Sequence, residues 1–197
     1  MPYQTIDIGT PTLASPLPTS HDALMQCFYE HWQNLCAKVL EINRANAEKE
    51  DAEHIREPNQ AEIAAVFPPK VNAAVLLGNF NYQVENGGFS QYEGNFYSES
   101  VNAVRVLFDG AQGVGIANAA DVLAVIDDFI KRSAANADSS RRSHNDNDDE
   151  LGFDSYGDLD ERYYAIENME QTMQQMLDRF DEVVAGSFMA HAYRKAA

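Results

Sequence analysis

The chain has 197 residues, 45% of them hydrophobic, and its 31 Asp and Glu against 14 Lys and Arg give a formal charge of −17 at pH 7. That apolar content is enough for one sizeable core and excludes disorder throughout. The acidic excess disfavours direct binding to nucleic acid or an anionic membrane and favours a basic partner.

Residues 1–18 carry Pro2, Pro11, Pro16 and Pro18 without periodicity and read as an extended N-terminal arm ahead of a helical domain over 19–197. The start of the chain holds acid and proline where a signal peptide has a basic end and an apolar middle. No apolar run reaches the roughly eighteen residues of a membrane span, so the chain reads as cytoplasmic. Thr19 and Asp22 have the spacing of a capping box, and Leu24, Phe28, Trp32, Leu35, Val39 and Ile42 follow at helical intervals. Cys27 and Cys36 fall on this helix about 13.5 Å apart along its axis, too far to bond to each other, and read as reduced core thiols. Residues 44–57 are polar on every side, so the helix either runs into solvent there or ends in a charged loop.

"FPPK" supplies prolines suited to a first helical turn, and "VNAAVLLGNFNYQVE" continues it with an apolar stripe. Further helices are predicted from about 98 to 108 and from about 116 to 133, the latter with Ile116, Ala120, Leu123, Ile126 and Ile130 on one side. Residues 134–158, rich in Ser, Asn, Asp and Gly, read as an acidic loop. From about 159 to 194 a single long helix is expected, with Ile166, Met169, Met173, Met176, Leu177, Phe180 and Val184 facing the core. No strand pattern competes. The class is all-α, a single-domain multi-helix bundle.

The segment "NYQVENGGFSQYEGN" (81–95) separates two helical stretches. Asn86, Gly87 and Gly88 stand where a helix needs a left-handed residue to end, and glycine takes that conformation without steric cost. Phe89 and Tyr92 can then return to the core, while Ser90 and Gln91 can tie backbone groups. A catalytic reading through Asn86, Ser90, Gln91 and Tyr92 needs a base beside the nucleophile, yet the histidines at 21, 31, 54, 144 and 191 are scattered. A structural corner explains the motif better than an active site does.

"NYQVENGGFSQY", then "LFDGAQGVGIANAADVLAVI", then "LDERYYAIENMEQTMQQMLDRF" resemble a bacterial DNA-mimic family, that of the neisserial DNA-mimic protein, over about 61–184. In that family Asn86, Gly87, Gly88, Phe89, Gln91 and Tyr92 would form the hallmark segment. The resemblance implies an all-helical fold and a homodimer that presents carboxylates in place of DNA phosphates to a DNA-binding repressor; with no nucleophile–base pair, the chain is expected not to be an enzyme. This chain departs from the pattern in "EGNFYSES" after Tyr92, in its longer arm and in its longer 134–158 segment.

The acids are placed unevenly. Between His144 and Glu182 stand Asp146, Asp148, Asp149, Glu150, Asp154, Asp158, Asp160, Glu161, Glu167, Glu170, Asp178, Asp181 and Glu182, against only Arg162 and Arg179. On one continuous helix Glu167, Glu170, Asp178, Asp181 and Glu182 would share an arc of roughly 120° and a stripe about 22 Å long, opposite the methionines. Apart from Asp154, these acids make up the expected phosphate-mimicking surface for a transcriptional regulator. The alternative is an acidic inhibitor or immunity-type protein that blocks a basic enzyme such as a nuclease or toxin.

Other motifs fail on their own chemistry. A calcium loop starting at Asp146 would place Leu151 where glycine is required and Gly157 where glutamate is required. "GAQGVG" (110–115) follows no strand, so it reads as a helix-to-helix turn. The histidines and cysteines lack zinc spacing, and no cofactor or metal is expected.

Overall fold

The computed structural model describes residues 4–47, 55–58, 60–95, 98–143 and 156–187. Eight α-helices run through these residues, and the all-α class is confirmed. They divide into two compact units, the first ending at Val75 and the second starting at Leu76.

In the first unit, α1 (His21–Asn46) is capped one residue later than the Thr19 box predicts: the Ser20 hydroxyl accepts the Ala23 N–H at 3.4 Å. Leu24, Phe28, Leu35 and Val39 are its buried face. α1 ends at Asn46, three residues into the polar run of 44–57. Against the expectation of no strands, β1 (Gln4–Thr5) and β2 (Ile55–Arg56) pair in parallel, Gln4 opposite Ile55. Asn43 fixes β2 by accepting the Ile55 N–H at 2.9 Å and donating to its carbonyl at 2.8 Å. Two residues are too few to leave an alternating pattern in the sequence. α2 (Gln60–Ala64) follows, and Phe67 meets Phe28 with ring centroids 5.4 Å apart.

α3 (Pro69–Asn95) begins in the first unit and continues into the second, broken by non-helical residues at Gly87 and Gly88. α4 (Ser98–Gly113) and α5 (Ala119–Ser143) pack on each other. α5 runs ten residues past its predicted end at 133, so 134–143 are helical; 144–155 lie outside the described residues. The single terminal helix expected over 159–194 is three: α6 (Gly157–Tyr164), α7 (Met169–Asp178) and α8 (Phe180–Gly186). Asn168 is left-handed at φ 62°, a conformation asparagine tolerates, and Arg179 leaves the helical region at φ −108°, ψ 30°. α4 also carries α8, and the approach is close enough that a Cβ on Gly110 would overlap the Val183 carbonyl.

The core of the second unit is aromatic. Phe80 lies 5.1 Å from Tyr92, 6.1 Å from Phe89 and 5.5 Å from Tyr163, ring centre to ring centre. Twelve residues of unbroken helix would separate Phe80 and Tyr92 by about 18 Å along the axis. The break at Gly87 and Gly88 is what brings them together, and Phe129 of α5 closes the cluster 4.9 Å from Phe89.

Candidate functional site: the acidic surface of the second unit

The glycine corner is a fold element. Gly88 adopts φ 70°, ψ −172°, a region essentially reserved for glycine. Its missing Cβ leaves room for Asp160, whose Cγ would otherwise stand 2.6 Å from it. The Asp160 carboxylate accepts the Phe89 N–H at 2.8 Å. Gln91 fills the space beside Gly87 and donates to Gln83 at 2.7 Å, and Asn86 donates to the Tyr82 carbonyl at 2.8 Å. Phe89 and Tyr92 are fully buried. The Tyr92 hydroxyl sits 3.2 Å from the Ser100 hydroxyl, and burial pushes its pKa up to about 12.

The acids predicted to face a partner do not form one straight ridge, because the helix meant to carry them is broken at 165–168 and at Arg179. The apolar positions keep their phase through the breaks, since Met169, Met173, Met176, Leu177 and Val183 are each buried, which is why one helix was expected. Asp146, Asp148, Asp149, Glu150 and Asp154 lie outside the described residues.

Several of the remaining acids are held internally. Asp158 is gripped by both Arg132 guanidinium nitrogens, one at 3.0 Å, and that hydrogen bonding pulls its carboxyl below the usual range. Asp160 serves the glycine corner. Glu182 is bound by Arg179 at 3.0 and 2.5 Å, and Asp178 accepts the Gln174 amide at 2.8 Å.

Glu161, Glu167, Glu170 and Asp181 are exposed and join no ion pair among the described residues. The lysine and arginine side chains described in this unit are all engaged with carboxylates: Arg105 with Asp127, Lys131 and Arg162 with Asp128, Arg132 with Asp158, and Arg179 with Glu182. The exposed surplus is therefore purely negative here.

Sequence reasoning missed Glu85, which is exposed on α3 one turn after the exposed Tyr82. Both fall off the stripe of Leu77, Phe80 and Val84, and that offset was a readable signal. Glu85 and Glu170 share an open concavity of about 410 Å³ with the Tyr163–Tyr164 pair.

Among the described residues no helix is long and apolar enough to cross a membrane, and no group of His, Cys, Asp or Glu could hold a metal ion. Cys27 and Cys36 are free thiols, and burial, with help from Glu57, pushes the Cys36 thiol up.

No curated protein and no solved structure matches the chain. A family model does, over residues 65–184, more than half the length, spanning the glycine corner, α6 and α7 and reaching into α8; the name stands for DNA mimic protein. The chain belongs to the family described as DMP19-like protein.

Proposed function

We propose that this protein is a non-catalytic DNA mimic of the cytoplasm, which binds a basic DNA-binding protein, a transcriptional regulator, and blocks its contact with DNA. The observation that carries the reading is the unneutralised acid on α6 to α8 and the link between α6 and α7: Glu161, Glu167, Glu170 and Asp181 face solvent in a unit whose described cations are already paired. Membership of the family supports it. Asp146, Asp148, Asp149 and Glu150 extend the same charge along the sequence. A regulator that grips phosphates with lysine and arginine meets comparable negative charge on a surface lacking the counterion atmosphere of DNA. Family resemblance further implies a homodimer, which sedimentation across a concentration series tests.

The direct experiment is competition. A regulator captured from native lysate on the immobilised protein and eluted by salt is mixed with its own operator DNA. Adding the protein is expected to abolish the DNA shift near 50 mM salt, and direct titration should show the regulator's affinity for the protein falling between 50 and 200 mM, less steeply than its affinity for DNA. Capture of a basic nuclease or toxin whose activity is blocked would favour the acidic-inhibitor alternative. Unchanged DNA shifts across captured regulators and nucleoid proteins would overturn the mimic.

A further inference from the structure

The concavity between α3 and the start of α7 combines features that scattered surface acids do not have. Its volume of about 410 Å³ falls within the roughly 300–1,000 Å³ typical of ligand recesses. Tyr163 and Met169, almost fully buried, line it together with Tyr164, Ile166, Asn168 and Gln171, and Glu85 and Glu170 reach it from exposed positions. Tyr164 is 53% exposed, yet its ring is fixed, because its hydroxyl donates to the Val84 carbonyl at 2.8 Å. Burial, and then the charges of Asp160 and Glu85, raise the Tyr164 pKa. Neither Glu85 nor Glu170 joins an ion pair among the described residues. Tyr82, 61% exposed, stands one turn before Glu85 on α3.

A carboxylate pair asks for a cation, an exposed ring asks for one that stacks, and the apolar side chains in the lining ask for a methylene stem. Arginine supplies all three: a planar guanidinium with five donors that stacks on aromatic rings, on an aliphatic stem. Lysine supplies the charge and the stem without the plane. We propose that this recess is the anchor for an arginine side chain of the basic partner, its guanidinium between Glu85 and Glu170 against the Tyr164 ring and its stem over Ile166 and Met169. The inference rests on the proposed function only in taking the partner to be a basic protein. It adds a shape-selective point to an otherwise diffuse electrostatic surface, and exposed tyrosines beside a recess are the usual makings of an interface hot spot.

The test uses the full chain with hexa-arginine and hexa-lysine peptides in titration calorimetry. Wild type is expected to bind hexa-arginine about tenfold more tightly than hexa-lysine, the equivalent of one good stacked guanidinium. The Glu85→Gln/Glu170→Gln pair should lose about tenfold in hexa-arginine affinity, while Tyr164→Leu should erase most of the arginine preference. The control is Glu41→Gln/Asp121→Asn, which removes the same charge from exposed positions elsewhere. Circular dichroism melts check each variant; should Tyr164→Leu fail to fold, the glutamate pair decides alone. Equal losses in the recess and control variants, or no preference for arginine in wild type, overturn the anchor. Running the operator competition on the same variants separates the two ideas. A regulator displaced equally by wild type and by the glutamate pair overturns the anchor and leaves the mimic standing, whereas the expected peptide pattern with no regulator displaced does the reverse.

Discussion

The Phe89 N–H would donate to the Glu85 carbonyl if α3 ran straight; with the helix opened at Gly87 and Gly88, it finds Asp160 at 2.8 Å, 71 positions along the chain. A buried amide left without an acceptor costs about 1–3 kcal/mol. Asp160→Ala should therefore lower unfolding free energy by about that amount in urea titration, and Asp160→Asn, which keeps an acceptor oxygen, by much less. Gly88→Ala should cost at least about 2 kcal/mol, since it adds backbone strain of about 1–3 kcal/mol and drives a Cβ into the same carboxylate. If Asp160→Ala unfolded at the same urea concentration as wild type, the carboxylate would be a surface group and its place in the glycine corner would be lost. This one residue also shows why an acid count does not map a binding surface: Asp160 reads as partner-facing in the sequence, and its partner in the fold is a backbone amide.

Among the elements, the ion pairs Arg132–Asp158 and Arg162–Asp128 join α5 to α6. Hydrogen bonding to the guanidinium holds each of these carboxyls below the ordinary carboxylate range. A carboxyl depressed in the folded state contributes stability that is present above its unfolded pKa, near 3.9, and lost as pH falls through the lower folded value. The thermal midpoint should thus drop on acidification below about pH 4, and Arg132→Gln/Arg162→Gln should lower it at pH 7 while flattening that acid limb. Parallel acid limbs for variant and wild type would refute the assignment. A sharper effect is expected from Gly110→Ala, because the Val183 carbonyl that its Cβ would meet is backbone and cannot swing aside; melts should show α8 or the whole unit destabilised.

Helix positions were legible because burial on one face imposes a 3.6-residue period, and Pro68 and Pro69 at the start of α3 and the glycines at 87 and 88 punctuate it. The breaks at 165–168 and Arg179 were hidden, since α7 and α8 bury their own apolar residues in the phase a single helix would use. Asn168 was the only local hint. Residues 134–143 read as loop from their Ser and Asn, although their Ala and Arg are good helix formers and α5 simply continues through them. Which carboxylates are consumed internally was not readable at all: Asp158 depends on Arg132, and Asp160 on Phe89, across distances that local pattern does not span.

For the molecule as a whole, a charge of −17 acts on folding and on binding with opposite signs. Like charges on a compact chain repel, and the described ion pairs are too exposed to offset that by much. Screening shortens the reach of the repulsion from about 30 Å at 0.01 M salt to about 8 Å at 0.15 M. The thermal midpoint should rise with sodium chloride over that interval, and equally with choline chloride, because the effect is ionic strength and not a bound cation. Attraction to a basic partner is screened by the same ions, so affinity should fall where stability climbs. Paired melts and partner titrations in one buffer series measure both slopes. A midpoint that falls with salt would mean that internal attraction outweighs repulsion, leaving no net surplus of field for a partner to feel; a rising midpoint with a salt-independent affinity would place the partner's grip on apolar contact instead of charge.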